Sequence, residues 1–116
     1  MWILSSDGDF LKGKSIWLRP GKKYLFGRVS SQGSPSRNYG VDHKSISRKH
    51  LVISVAPVKS GDGLHIHARS EVTIEDQGSK LGTKLDGQTM KAATRKLDKE
   101  EHSIKLGNYE HVLRYG

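Results

Sequence analysis

Six consecutive residues, Ser45-Ile46-Ser47-Arg48-Lys49-His50, set two hydroxyls, fixed positive charge and an imidazole just ahead of an apolar run, Leu51-Val52-Ile53-Ser54-Val55. A second arginine is available from the preceding turn, where Gly27-Arg28 follows another apolar stretch. A guanidinium donates as a planar fork and keeps its charge at physiological pH, so arginine plus hydroxyls suits a phosphate dianion. The chemistry is anion capture. His50 stands three residues from Ser47, but a Ser–His hydrolase also needs an orienting acid and an oxyanion hole, and no Gly-x-Ser-x-Gly elbow is present. No catalytic residue is assigned.

The elements that must hold these groups are short and apolar-alternating, with turn residues between them. That is the pattern of an all-β sandwich or barrel. Strands are expected near Trp2–Leu4, Ser15–Leu18, Lys23–Phe26, Leu51–Ala56, Leu64–Ala68, Glu71–Glu75, Thr83–Leu85, Ser103–Leu106 and Glu110–Arg114. Asp7-Gly8, Pro20-Gly21, Asp86-Gly87 and Gly107-Asn108 punctuate them, since glycine takes positive φ without a Cβ clash. Ser30–Gly40 has no apolar periodicity and reads as a mobile surface loop, and Met90–Glu101 reads as a charged loop rather than a helix. At 116 residues the chain is one domain, 1–116, with room for one core.

Lysine plus arginine number 20 against 12 acidic residues, a net charge of +8 that attracts nucleic acid, acidic membrane or phosphorylated protein. The cations are scattered, and a solvated basic surface accounts for most of them. There is no cysteine, which removes disulfides and thiolate metal sites. His65 and His67 share one strand face; without a third ligand at obvious spacing they read as polar surface, so neither metal nor cofactor is expected. No apolar stretch approaches a membrane span and no signal peptide is expected, so no membrane partner is assigned. Non-specific nucleic-acid binding is the main alternative. It is disfavoured because Phe10, Trp17, Tyr24 and Phe26 read as core-strand residues, which leaves no stacking platform. Trp2 and Trp17 are read as core or edge packing.

Three separated blocks fall into one order: Gly27-Arg28, then Ser47-Arg48-Lys49-His50, then Ser79-Lys80-Leu81-Gly82-Thr83, with Asp86-Gly87 and Ile104-Lys105-Leu106-Gly107 following. This resembles the forkhead-associated (FHA) domain over essentially the whole chain. The start at Met1-Trp2, the Ser45-Ile46-Ser47-Arg48 block and the Ser79–Thr83 block are most similar to fungal members that serve double-strand-break repair. The resemblance implies a β-sandwich of about eleven strands with its binding loops at one end. It implies a non-catalytic phosphothreonine-peptide module that recruits phosphorylated partners in DNA double-strand-break repair and checkpoint signalling, in the nucleus. Its partners would carry acidic Ser/Thr-Asp motifs, and nuclease subunits would be contacted through regions outside this chain, which would then be a fragment.

Carried onto this sequence, the resemblance assigns phosphopeptide binding to Arg28, Ser47, Arg48 and Lys80, with Ser45 and Leu81 peripheral. Gly27, His50, Gly82 and Thr83 support the loops. Each of these alone would be a surface charge, a self-bonded loop hydroxyl or a turn residue; the ordered set is what selects them. Two departures stand out. Leu81 takes the place of an asparagine before Gly-Thr, and Asp86 that of an asparagine before Gly87. Both remove a side-chain amide. They keep a third reading open, a docking sandwich with a degenerate phosphate site.

Overall fold

The computed structural model describes residues 2–6, 11, 15–29, 39–56 and 71–116. Alternation sets the sandwich. On β1 (Trp2–Ser6) Trp2 and Leu4 turn inward, and on β4 (Leu51–Val55) Leu51, Ile53 and Val55 do so. On β5 (Val72–Asp76) the inward set is Val72, Ile74 and Asp76. β2 (Ser15–Leu18), β3 (Lys23–Phe26), β6 (Thr83–Leu85), β7 (Gln88–Met90), β8 (Thr94–Lys96), β9 (Glu101–Leu106) and β10 (Tyr109–Tyr115) complete ten strands among the described residues. They form two antiparallel sheets, ordered β2-β1-β10-β9-β6-β7 and β3-β4-β5-β8. The inward faces meet in one core of Trp2, Leu4, Leu18, Phe26, Leu51, Ile53, Ile74, Ile104, Leu106 and Leu113 among others.

The expected sandwich is present, with three differences in detail. The segment read as a charged loop from Met90 to Glu101 contains β8, whose three residues are all exposed and so carry no alternation. β7 was not expected as a strand either; Met90 is its one buried residue. It forms because Asp86-Gly87 makes a two-residue hairpin turn, with φ of 50° and 85°, and both left-handed positions match the twist of paired strands. Trp17 is 56% exposed rather than in the core, because β2 is an edge strand and Ile16 and Leu18 occupy its inward parity. The expected strand Leu64–Ala68, with His65 and His67, lies outside the described residues, as do Phe10 and most of the expected 30–40 loop.

Two buried histidines have a consequence for stability. His111, inward on β10, is pushed down to about 4 by burial, against the pull of the Ile104 and Tyr109 backbone. His50, fully enclosed, is also lowered by burial, against opposing hydrogen-bond and charge contributions from Gly82 and Asp76. Above pH 6.5 both are neutral whether the chain is folded or not. Below it, the unfolded chain takes up protons that the folded chain refuses, so stability falls with pH until the folded groups titrate. For His111 that window runs from 6.5 to about 4, and it corresponds to about 3 kcal/mol. Urea unfolding at pH 7.5, 6, 5 and 4 should show the loss concentrated in that interval; a flat profile down to pH 4 would contradict it.

Candidate functional site

The end of the sandwich where β3 runs into Gly27 and where β5 runs into the 77–82 loop gathers most of the expected residues. The backbone N–H of Arg28 donates to the Ser47 carbonyl at 2.9 Å. Gly27 allows this closeness: a Cβ there would lie 2.0 Å from the Arg48 carbonyl oxygen, which no side chain survives. Arg28 is thereby held against Ser47 by main chain, with its half-buried side chain not needed for the junction. Arg48 and Lys80 are exposed beside them.

Ser47 joins the two loops. Its Oγ accepts the Lys80 backbone N–H at 2.9 Å across 33 residues of sequence. The hydroxyl proton is therefore left to donate outward, toward a phosphate oxygen. Its own N–H is taken by His50 Nδ1 at 3.2 Å, while His50 Nε2–H donates to the Gly82 carbonyl at 3.0 Å. This fixes a neutral tautomer with one nitrogen on each loop. A strut of this kind needs no proton transfer, in agreement with the lowered pKa of the buried ring.

Sequence reasoning passes over the group that organises the second loop. Asp76 closes β5 on its inward face, 2% exposed, and its carboxylate takes five hydrogen bonds. Oδ2 accepts the backbone N–H groups of Gly78 (3.0 Å), Ser79 (3.0 Å) and Ala92 (2.9 Å). Oδ1 accepts the hydroxyls of Ser79 (2.6 Å) and Thr83 (2.7 Å). Burial acts to raise this carboxyl's pKa, but the Ser79, Ala92 and Thr83 bonds together outweigh it and hold it below the usual carboxylate range. The signal was present: Asp76-Gln77-Gly78-Ser79 is an Asx-turn sequence.

The remaining expected residues are placed apart. Ser45 is 9% exposed and its hydroxyl is engaged with His43 Nδ1 (2.8 Å) and the Asn108 N–H (3.3 Å), which makes it a brace toward the β9–β10 turn. Leu81 stands 59% exposed at the loop tip. Asp86 lies at the far end of β6, where its carboxylate accepts the Ser103 N–H (2.8 Å) and bonds His102 Nδ1 (2.6 Å). Its role is to clamp the hairpin. Asp86 and His102 also line a cleft of about 390 Å³ with Met90, Arg95 and Lys99. None of the phosphate-site residues lines it.

Comparison with known proteins adds to this geometry. The FHA domain family model matches residues 24–107. The DNA repair and telomere maintenance protein nbs1 of Schizosaccharomyces pombe is 32% identical over 107 residues, covering 92% of this chain and 17% of that protein. The chain thus spans about a sixth of that relative's length. The structure of the S. pombe Nbs1–Ctp1 complex superposes with a TM-score of 0.79 at 28% identity, over 100% of this chain and 36% of that one. The S. pombe Nbs1 FHA/BRCT-repeat domain gives a TM-score of 0.79 at 29% identity, again over 100% and 36%.

Proposed function

The chain belongs to the FHA domain family of phosphopeptide-binding modules, and on that premise we propose that it reads phosphothreonine in an extended peptide without catalysing a reaction. The observation that carries this reading is the Ser47 junction: one hydroxyl fixed by the Lys80 N–H, one Arg28 held by the Ser47 carbonyl, and one imidazole bracing both loops. Arg28 supplies a forked, charge-assisted pair of donors to the phosphate, and Ser47 donates its hydroxyl proton. Arg48 and Lys80 add field, which a ligand carrying about −1.5 to −2 charges feels beyond contact distance. Leu81 and Ser45 bound the groove at its flanks.

Likeness to the nbs1 protein supports a place in DNA double-strand-break repair and checkpoint signalling, in the nucleus, with partners bearing acidic Ser/Thr-Asp motifs. The structure of S. pombe Nbs1 with Ctp1 supports a repair partner as the bearer of the phosphate.

The test is a titration with a phosphothreonine-Asp peptide, its phosphoserine form and its unphosphorylated form at two salt concentrations. Binding confined to the phosphothreonine form is expected. Equal weak binding of all three, lost in salt, would instead identify a basic surface with nucleic-acid-like behaviour.

A further inference from the structure

Lys91 lies outside the set that the sequence selects, yet the fold holds its ammonium at the edge of the phosphate loops. Its Nζ donates to the Lys80 carbonyl at 3.2 Å. The backbone on either side is fixed. Met90 ends β7 in register with Thr83, and the Ala92 N–H is one of the donors on Asp76 Oδ2. Ala92 has a φ of 51°, a conformation that a residue with a Cβ keeps only where its surroundings dictate it. A Cβ at Gly82 would lie 3.8 Å from Lys91 Cβ, so the two segments run in contact. Few exposed lysines have both stem and tip defined in this way.

Lys80 is the link between this cation and the phosphate site. Its N–H is on Ser47 Oγ and its carbonyl is on Lys91 Nζ. The ammonium therefore lies within about 10 Å of the Ser47 hydroxyl, which is no more than about three residues of an extended peptide. An ammonium has three N–H donors, and the Lys80 carbonyl uses one. Leu81, exposed between the two sites, offers no side-chain hydrogen bond to compete. A polar peptide side chain arriving on this flank meets Lys91.

Resting on the phosphopeptide reading above, we infer that Lys91 is a specificity-determining residue that selects a second negative charge within three residues of the phosphothreonine. That charge can be an aspartate or glutamate carboxylate or a second phosphate; both present acceptor oxygens to an ammonium. Selection arises because the cation is already held in place, so its alignment costs little when the peptide docks.

The test uses a phosphothreonine peptide in a neutral background and a series with one Asp, or one phosphoserine, at each position from three residues before to three after. Affinities are measured for the parent, Lys91→Gln and Lys91→Glu, with thermal melts to confirm folding. At one position Asp should tighten parent binding by about three- to tenfold. Lys91→Gln should erase that gain while holding the neutral peptide within about twofold, and Lys91→Glu should prefer lysine there. Comparing Asp with phosphoserine at that position identifies which anion is favoured. A gain from Asp that survives Lys91→Gln, or an equal loss on neutral and acidic peptides, overturns the inference. So does a parent that binds the neutral phosphopeptide but gains from no added charge, and that result leaves the phosphothreonine reading intact. A parent that binds no phosphothreonine peptide overturns both.

Discussion

Arg28→Ala is expected to weaken phosphothreonine-peptide binding by at least about a hundredfold while leaving the melting temperature within about 3 °C of the parent. The first half follows from the forked, charge-assisted hydrogen bonds that one guanidinium supplies, each contributing about 1.5–3 kcal/mol. The second half follows from how the loop is held. The Arg28 N–H on the Ser47 carbonyl and the Gly27 N–H on the Tyr39 carbonyl are main-chain bonds that alanine retains. Arg28→Lys separates charge from shape: it keeps the charge but not the fork, so an intermediate loss of about tenfold is expected. Calorimetric titration beside a thermal melt decides the matter. Retained affinity in the alanine variant, or a collapsed melt, would remove Arg28 from the phosphate site.

The largest effect on stability is expected at Asp76. Truncation to alanine leaves three backbone N–H groups and two hydroxyls without their common acceptor at a site that is 2% exposed. A loss of about 3–5 kcal/mol is expected, a large fraction of the roughly 5–15 kcal/mol that holds an ordinary domain together. Asp76→Asn should cost much less, about 1–2 kcal/mol. Its remaining oxygen can face the Gly78, Ser79 and Ala92 N–H groups, while the Ser79 and Thr83 hydroxyls rotate to accept from the amide. Because the folded carboxyl titrates below its ordinary value, its contribution is complete above pH 4 and is lost as the pH falls through the folded pKa. Urea denaturation followed by the fluorescence of buried Trp2 measures both variants. An alanine variant within about 1 kcal/mol of the parent would show that the five bonds are not needed.

What the sequence reveals and what it hides divide along physical lines. Strands with a buried face announce themselves by alternation, as Trp2 and Leu4 or Leu51, Ile53 and Val55 do. β8, with three exposed residues, has no such face and forms through pairing with β5. The same parity rule, followed further, would have placed Asp76 inward after Val72 and Ile74, and Trp17 outward between Ile16 and Leu18. The charged and hydroxylic side chains of the site are legible because their chemistry lies in residue type. Their anchors are not: the bond from Lys80 N–H to Ser47 Oγ spans 33 residues, and that from Ala92 N–H to Asp76 spans 16. Both are contacts of main chain, which every residue type carries alike. Lys91 is hidden for the same reason, since its place depends on a carbonyl.

The His50 strut between Ser47 and Gly82 bears on time as well as shape. Loops that are already cross-braced have no slow closing step to wait for, so encounter with an anionic peptide is governed by diffusion and by the +8 charge that draws it in. Competing phosphopeptides then arrive at similar rates, and they are sorted by how long each one stays.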